Sequence, residues 1–279
     1  MKKIAQDVLD LLQPEDSDPD APPIDSVIER YEAWTIPLNT TQRKAFDNKH
    51  AKWILLHGER ASGKTIGALH ALVDHCFNTR NGLALIIVEV TSMGEEGGAW
   101  HKLNVDILPQ WKTETGLTFT PPKLHPTSRK PYIWIQNRHG GSSRVLLLSV
   151  PVDAKVMDRM KGMEPTFVLV DEAQTLKSDA YFRDLIQQVG RRKDVADQRI
   201  FYCCNPRGPS HWLYKRFFQF PVNDNGEWNE DYACYHVPIS ENIRNIPRDY
   251  YDRLIEACRA DPIEAARMIN GRWIDRPEG

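Results

Sequence analysis

Residues 53–67 read WILLHGERASGKTIG, and this stretch decides the fold. The apolar run WILL predicts a buried strand, and the residues from Lys64 onward predict a helix. The turn between them matches G-x-x-x-x-G-K-[ST], whose fixed positions here are Gly58, Gly63, Lys64 and Thr65. Such a loop turns successive backbone N–H groups inward, and the helix after it adds the positive end of its dipole. The stretch therefore predicts a binding site for the phosphates of a nucleotide.

Backbone groups of this loop are expected to hold the phosphates, and two side chains to complete the site. The candidate nucleotide contacts are Gly58, Glu59, Arg60, Ala61, Ser62, Gly63, Lys64 and Thr65. The Lys64 ammonium is placed to reach the β and γ phosphates, and the Thr65 hydroxyl is placed to bind Mg²⁺. An ordinary turn is the alternative interpretation, and the strand and helix signals on either side argue against it.

A pair of acids follows the apolar run in TFVLVDEAQ, residues 166–174. A nucleotide site needs a carboxylate at the end of a neighbouring strand to hold Mg²⁺ and its waters. Asp171 is the candidate for that role, and Glu172 is the candidate general base that takes a proton from the attacking water. Acids in this position can instead cap a helix or lie on the surface.

A polar amide follows a third apolar run, RIFYCC, residues 199–204. Asn205, directly after it, is expected to lie beside the γ-phosphate, where an amide could sense hydrolysis. The alternative is local, because Asn205 followed by Pro206 is also a common turn signal.

Composition and charge place the chain among globular proteins. Its 279 residues are 41% hydrophobic, enough to bury the core of one large α/β domain or two small ones. The net charge of −2 speaks against a chain that coats nucleic acid through bulk charge, although it allows a local basic face. The five scattered cysteines show no zinc-ligand spacing and predict reduced thiols.

The sequence also predicts a protein without a membrane partner. Apolar runs such as GLALIIV are too short to span a bilayer. The first residues, MKKIAQDVLDLL, carry Asp7 and Asp10 where a signal sequence would be apolar. We therefore expect the protein in the cytoplasm.

The chain divides into a short helix, a linker and one large domain. Residues 1–13 predict an amphipathic helix, and residues 14–29 predict a linker that contains the acidic, proline-rich run PEDSDPDAPP. The large domain spans residues 30–275 and is followed by the start of a second linker at residues 276–279.

Continuous runs of Val, Ile and Leu in the large domain predict parallel strands that are covered by helices on both faces. Candidate strands are 53–56, 83–90, 167–170 and 200–204, and candidate helices lie near 64–78, 97–111, 178–189 and 209–219. YIWIQ and SRVLLLSV flank NRHGG and predict an antiparallel hairpin at the sheet edge, between residues 131 and 150. With the phosphate loop, this pattern predicts an α/β P-loop NTPase of the ASCE, RecA-like class. The run LALIIVEV, placed between the loop and the carboxylate strand, is typical of ATPases that couple hydrolysis to motion.

The ordered set of motifs resembles the ATPase domain of the large terminase subunit, the motor that packages DNA into the procapsids of tailed phages. The motifs on which the resemblance rests are GERASGKT, KGMEPTFVLVDEAQ, CCNPRGPSHWLYKRF, and ISENIRNIPRDYYDRL followed by GRW. The resemblance covers roughly residues 30–275, and this ordered set is far more specific than a phosphate loop alone. It implies Lys64 and Thr65 on MgATP, Asp171 on Mg²⁺, Glu172 as the catalytic carboxylate and Asn205 in the coupling motif.

Three further residues acquire expected roles from the resemblance. TTQRKAF looks like the adenine-recognition segment, with Gln42 reading the base through an amide that both donates and accepts; the alternative is a surface Gln at the start of a helix. Arg60 is expected to stabilise charge on the γ-phosphate, or else to pair with a nearby acid. Arg159, in MDRMKG, is the candidate for an arginine finger that a neighbouring subunit would receive; the alternative is a solvated loop charge.

The resemblance also implies partners. These are double-stranded DNA, the portal protein and the small terminase subunit, with the chain in a homo-oligomeric ring on the procapsid, in the host cytoplasm, although a monomer in solution is allowed. The basic residues Arg191 to Lys193, and Lys215 with Arg216, are candidates for non-specific contact with the DNA backbone. Arg191 to Lys193 could equally interact with the negative C-terminal end of the preceding helix, with no DNA involved.

Large terminases usually carry a C-terminal nuclease domain, and this sequence ends at Gly279, where that domain would begin. We therefore expect ATP hydrolysis without DNA cleavage. The rival interpretations are a RecA-like helicase, which needs a second motor domain after residue 275, and a regulatory module that binds ATP without turnover. Glu172 argues against the second rival, because a site built only to bind needs no base beside the water.

Overall fold

The computed structural model describes residues 21–89, 97–126, 129–149, 162–176, 178–222 and 225–276. The helix predicted over residues 1–13 and the candidate arginine finger, Arg159, lie outside these ranges.

One sheet organises the described residues. Its strands are β1 Trp53–His57, β2 Leu83–Val88, β3 Lys123–Leu124, β4 Pro131–Gln136, β5 Ser142–Ser149, β6 Phe167–Val170, β7 Arg199–Cys204 and β8 Tyr232–His236. Their order across the sheet is β3-β4-β5-β2-β6-β7-β1-β8. The six strands from β5 to β8 in this order are parallel, whereas β4 pairs with β5, and β3 with β4, in antiparallel fashion. The parallel core and the edge hairpin are therefore confirmed.

The strand that separates the loop strand β1 from the acid strand β6 is β7. The sequence favoured LALIIVEV for that place, because it lies between the two strands along the chain; in the sheet, however, β2 lies on the far side of β6. The assignment was wrong because parallel strands are joined by crossover connections, so strands consecutive in the chain need not be neighbours. The strand beside the loop is therefore the one that ends at Asn205.

Helices cover the sheet. They are α1 Ile24–Ala33, α2 Thr40–Asp47, α3 Lys64–Asn78, α4 Ala99–Lys102, α5 Leu108–Thr115, α6 Ala180–Gln188, α7 Trp212–Tyr214, α8 Tyr250–Cys258 and α9 Pro262–Met268. A π turn, Leu103–Ile107, joins α4 to α5, and another, Lys215–Gln219, continues α7. In the described ranges, every helix is too short or too polar to cross a membrane.

Apolar side chains alternate between the two faces of the sheet. Ile54 and Leu56 on β1 pack with the buried side chains of α3, whereas Leu55 packs with the layer of α6 and α7 on the other face. All three side chains are fully buried. A strand buried on both faces shows the continuous aliphatic run from which the parallel sheet was predicted.

The first described helix packs on the body of the domain. Helix α1 begins inside the stretch 14–29 that the sequence analysis assigned to the linker, and its Val27 is fully buried. The Arg30 guanidinium donates to the carbonyl oxygens of Thr113 (2.7 Å) and Glu114 (3.1 Å) at the end of α5. Apolar residues at helical spacing after Pro23 were the signal for this helix.

Strand β8 was not predicted. It pairs with β1 in parallel and forms the edge of the sheet opposite the hairpin. Its sequence, YACYH, lacks an aliphatic run because its side chains are only half-buried or exposed. The strand matters for function because it brings the residues after it beside the phosphate loop.

Buried histidines make the fold sensitive to acid. Burial is the main cause that lowers the pKa of His57 to about 3, of His70 to about 4 and of His75 to about 3. The unfolded chain binds protons at these residues below about pH 6.5, whereas the folded chain does not. Their contribution to stability is therefore complete above pH 6.5 and is lost as the pH falls towards 4.

We expect the free energy of unfolding to fall by up to about 1.4 kcal/mol per pH unit for each of the three histidines in this window. His70 Nδ1 accepts a hydrogen bond from Trp111 Nε1 (3.1 Å), and a Gln side chain could still accept one. His70→Gln should therefore flatten the pH dependence by about a third of the histidine contribution. Denaturant unfolding between pH 7 and 5 measures the slope, with exposed His50→Gln as the control; an unchanged slope in His70→Gln would contradict the assignment.

Candidate nucleotide-binding site

The loop between β1 and α3 adopts the conformation that a phosphate cradle requires. Gly58 has φ +143° and Gly63 has φ +89°, and α3 begins immediately after Gly63. A Cβ atom on Gly58 would lie 2.4 Å from the carbonyl oxygen of Val237, so only glycine fits there. The positive end of α3 therefore faces the loop, as expected from the sequence.

Lys64 is buried at the centre of the loop. Its Nζ lies within hydrogen-bond distance of the Glu59 carbonyl oxygen (2.6 Å), Ser62 Oγ (3.1 Å) and Asn205 Oδ1 (3.1 Å). Burial lowers the pKa of Lys64, because desolvation disfavours the charged form. Within the described ranges no carboxylate makes an ion pair with this ammonium. An anionic ligand in the loop would supply the negative charge to pair with the buried Lys64 ammonium.

Thr65 and Asp171 face each other at one end of the loop. The Thr65 hydroxyl donates to Asp171 Oδ1 (2.8 Å). Burial, reinforced by neighbouring Glu172, raises the pKa of Asp171. Burial and Glu172 thus disfavour the charged form of the Asp171 carboxylate, and a bound cation would stabilise that form.

The donor set of this pair suits Mg²⁺. Hydroxyl and carboxylate oxygens are its preferred ligands, and Mg²⁺ usually takes one or two carboxylates and completes its shell with phosphate oxygens and water. In the described ranges, no three or more His, Cys, Asp or Glu side chains form a metal-binding group. Because two side chains leave most positions of the ion open, the pair fits a Mg²⁺ that also binds phosphate oxygens and water.

Glu172 has an unusual backbone conformation. Its φ of 50° and ψ of 41° place a non-glycine residue in the left-handed region, where strain is commonly stored at functional sites. Gln174 Nε2 donates to Glu172 Oε2, and Gln174 Oε1 accepts from the Asn205 backbone N–H (3.2 Å). Gln174 therefore connects the candidate base to the strand end that carries Asn205. Gln174 stands in the motif TFVLVDEAQ, but no role was predicted for it from the sequence.

Asn205 lies where the sequence predicted, next to the loop. The residue is 9% exposed, and Asn205 Oδ1 contacts Lys64 Nζ. The turn interpretation does not account for this contact, which joins β7 to the residue expected to hold the γ-phosphate.

Arg60 is exposed at the rim of the site. Its backbone N–H donates to the carbonyl oxygen of Met268 (3.0 Å), which ties the loop to α9. Among the described residues, its guanidinium makes no ion pair with an acid. The alternative role of Arg60, an ion pair with a nearby acid, is therefore not observed in the described part of the chain.

Gln42 lies beside the loop, but its amide is used by backbone groups. Its Oε1 accepts from the Asn39 backbone N–H (2.8 Å) in a capping box, and its Nε2 donates to the Gly63 carbonyl oxygen (2.7 Å). Gln42 as a whole residue is 5% exposed, so the surface-glutamine alternative is wrong. Gln42 does not line the cavity, and its reading of a base stays a prediction.

Residues 236–242, here called the bracing segment, hold the loop from the outside. The buried Glu59 carboxylate accepts from the Ile239 backbone N–H (2.9 Å) and lies 3.3 Å from His236 Nε2. Asn242 Nδ2 donates to the Ala61 carbonyl oxygen (2.6 Å). The Glu59 side chain therefore faces the bracing segment, and neither Glu59 nor Gly58 lines the cavity. Residues 239–242 stand in the quoted motif ISENIRNIPRDYYDRL, but no role at the loop was predicted for them.

The loop opens into a cavity of about 410 Å³. Its lining residues are Arg60, Ala61, Ser62, Gly63, Lys64, Thr65, Ile66, Gly97, Lys102, Asp171, Glu172, Cys203, Cys204, Asn205, Asn242, Ile246 and Tyr250. The predicted loop, acids and amide therefore meet in one space. Lys102 and the residues after Asn242 were not predicted.

The basic residues proposed for DNA contact are largely engaged by their own chain. Arg192 donates to the Asn81 carbonyl oxygen (2.6 Å) and pairs with Asp194. Arg216 Nη2 lies 2.8 Å from Asp179 Oδ2. Local contacts therefore account for both arginines.

A phosphate loop, an acid pair on a non-adjacent strand and a polar strand end between them define an ASCE-type P-loop NTPase. The family described as phage terminase large subunit matches residues 154–272. The chain is therefore similar to phage large terminases over this part of its length. A search of curated proteins finds no significant match.

Solved structures share the fold. The large terminase of a thermophilic bacteriophage, in complex with ADP, matches with a TM-score of 0.63 at 16% identity, over 85% of this chain and 54% of that one. The ATPase domain of the Thermus phage P74-26 large terminase matches with a TM-score of 0.60 at 14% identity, over 88% of this chain and 97% of that one. The bacteriophage HK97 large terminase matches with a TM-score of 0.60 at 13% identity, over 89% of this chain and 54% of that one. The chain thus spans about half the length of the first and third of these proteins.

Proposed function

We propose that this chain hydrolyses ATP with Mg²⁺ and that hydrolysis drives double-stranded DNA into a procapsid. One observation carries the enzymatic part: Lys64, the Thr65–Asp171 pair and Glu172 converge on one cavity. The large terminase of the thermophilic bacteriophage has been solved in complex with ADP and with ATP-gamma-S, which supports a nucleotide as the ligand.

The loop residues bind the phosphates in this proposal. Backbone N–H groups and the positive end of α3 surround them, and the Lys64 ammonium exchanges carbonyl contacts for phosphate oxygens. Thr65 and Asp171 would hold Mg²⁺, which neutralises charge that develops on the phosphates. Arg60, at the rim, stabilises the γ-phosphate.

Glu172 acts as the general base. It accepts a proton from the attacking water, and the amide of Gln174 orients its carboxylate. A module that only binds ATP would not require this base.

Coupling to motion runs through Asn205. Its Oδ1 atom contacts Lys64 Nζ. A bound γ-phosphate would compete with Asn205 for the Lys64 ammonium. The end of β7 would therefore take one arrangement while the γ-phosphate is bound and another after its loss. The Gln174 amide links this strand end to Glu172, which would make hydrolysis and movement interdependent.

The partners follow from the family and are proposals for this chain. They are double-stranded DNA, the portal protein and the small terminase subunit, met in the host cytoplasm at the procapsid. A ring of copies, in which a neighbour receives Arg159 as an arginine finger, completes the proposed assembly.

The test is ATP turnover with and without Mg²⁺, double-stranded DNA and empty procapsid, over a range of protein concentrations. We expect Mg²⁺-dependent turnover that double-stranded DNA with procapsid stimulates, and a rise in turnover per chain with concentration if a neighbour supplies an arginine. Preference for single-stranded DNA would favour the RecA-like helicase alternative. Absence of Mg²⁺-dependent turnover in every arm would overturn the proposal, and a flat concentration dependence would remove support for the ring contribution.

A further inference from the structure

A second lysine lines the cavity, from a part of the chain remote from the phosphate loop. Lys102 is the last residue of α4, which follows β2 in the chain. In the sheet, β2 is the neighbour of β6 on the side away from β7 and β1. The Asp171 backbone N–H donates to the Ile87 carbonyl oxygen of β2 (3.0 Å), so the acids lie beside the end of that strand. Lys64 therefore belongs to the loop side of the cavity, and Lys102 to the side of the acids.

Buried neighbours hold the backbone of Lys102 in place. Trp100 and Leu103 are buried in the core layer that also contains the apolar side chains of α3. The π turn Leu103–Ile107 follows Lys102 directly, and Asn104 Nδ2 donates to the Trp100 carbonyl oxygen (2.7 Å) across its start. π turns within helices are frequent at functional sites. The Lys102 side chain thus extends into the cavity from a fixed base.

No structural ion pair accounts for the Lys102 ammonium in the described part of the chain. Asp106, one turn further along, is exposed and does not pair with it. Burial and neighbouring Glu172 raise the pKa of Asp171, and the positive charge of Lys102 opposes that rise. Because electrostatic effects fall off with distance, this charge lies near the acids without forming an ion pair with them.

The side of the γ-phosphate that faces the acids requires a cation. During phosphoryl transfer, negative charge is spread over the three equatorial oxygens of the transferred group. Lys64 meets this group from the loop, whereas Asp171 and Glu172 add negative charge on the other side. A lysine ammonium there would offset the repulsion and could donate up to three hydrogen bonds. Lys102 is a cation in that position.

We propose that Lys102 is a further catalytic residue, which contacts the γ-phosphate from the side of the acids and stabilises the charge that develops during its transfer to water. The inference deepens the proposed function and rests on it, since it needs a triphosphate in the loop. In the step concerned, the water oxygen bonds to the γ-phosphorus, and the bond from that phosphorus to the bridging oxygen of ADP breaks. The water proton passes to Glu172, and Lys102 transfers no proton.

The test compares ADP with ADP plus aluminium fluoride, a probe that mimics the transferring phosphoryl group. Steady-state turnover and equilibrium binding of both ligands, with Mg²⁺ present, are measured for the wild type, Lys102→Ala and Lys102→Arg. We expect Lys102→Ala to lower kcat about a hundredfold and to weaken binding of the aluminium fluoride complex by a similar factor. ADP affinity should be unchanged, because ADP lacks the group that Lys102 contacts. Lys102→Arg keeps the charge and should recover at least about tenfold of the lost turnover.

Lys112→Ala is the matched control, because it removes an exposed lysine of α5 that does not line the cavity. Normal kcat and normal binding of the aluminium fluoride complex in Lys102→Ala would overturn the role. Equal weakening of ADP and of the complex would overturn it too, since that loss would come from a disturbed loop. A wild type that neither binds nucleotide nor turns it over would instead overturn the proposed function. Thermal melting of each variant shows that it is folded.

Discussion

Replacing Glu172 with Gln is expected to lower ATP turnover at least about a hundredfold while leaving ATP affinity nearly intact. The substitution keeps the shape of the side chain and an oxygen that can accept from Gln174, but the amide cannot take a proton from water. Removal of a general base affects the transition state much more than the ground state. Steady-state turnover and equilibrium binding of ATP, measured on the same preparation, separate the two effects.

Glu164→Gln provides the control for this experiment. Glu164 is an exposed acid just before β6, and its carboxylate lies 3.6 Å from Arg191 Nη2, away from the cavity. Its substitution should leave turnover unchanged. Near-normal turnover in Glu172→Gln would show that another group accepts the proton.

Replacing Lys64 with Ala is expected to weaken the binding of both ATP and ADP by about a hundredfold or more. Charge-assisted hydrogen bonds contribute about 1.5–3 kcal/mol each, and the ammonium is expected to make more than one to the phosphates. The substitution also removes the donor that reaches the Glu59 carbonyl oxygen and Asn205 Oδ1. Titration calorimetry with each nucleotide measures the loss.

Lys44→Ala, an exposed substitution on α2, is the control that removes one positive charge without touching the loop. It should bind nucleotide as the wild type does. If Lys64→Ala kept its affinity for both nucleotides, the phosphates could not lie in this loop, and the assignment of the cavity would fail.

Several elements were predictable because their signals are local. The loop from Gly58 to Thr65 needs only a strand, a turn and a helix that follow one another in the chain. The acids after β6 and the amide after β7 come at the ends of continuous aliphatic runs, and the carboxyl ends of parallel strands meet at one edge of the sheet. For these reasons the sequence predicts Lys64, Asp171, Glu172 and Asn205 in one site.

Other features depend on contacts between distant residues. Glu59 accepts from the backbone of Ile239, 180 positions away, and such a bond has no signature in either segment. Gln42 matched a base-reading pattern, yet its amide caps α2 and holds Gly63, because a Gln at the third position of a helix can reach back to the backbone N–H of the N-cap residue. Strand β8 was missed because an edge strand lacks the aliphatic run of a buried one.

The amino-acid sequence by itself determined the phosphate loop, the parallel sheet and the acids at its edge, because each follows from residue patterns within a few positions of one another. The order of the strands, the bracing segment and the placement of Tyr250 at the cavity were decided only by the tertiary structure. They arise from packing between segments far apart in the chain, where many residue pairs satisfy the same burial and hydrogen-bonding requirements and only the complete fold selects among them.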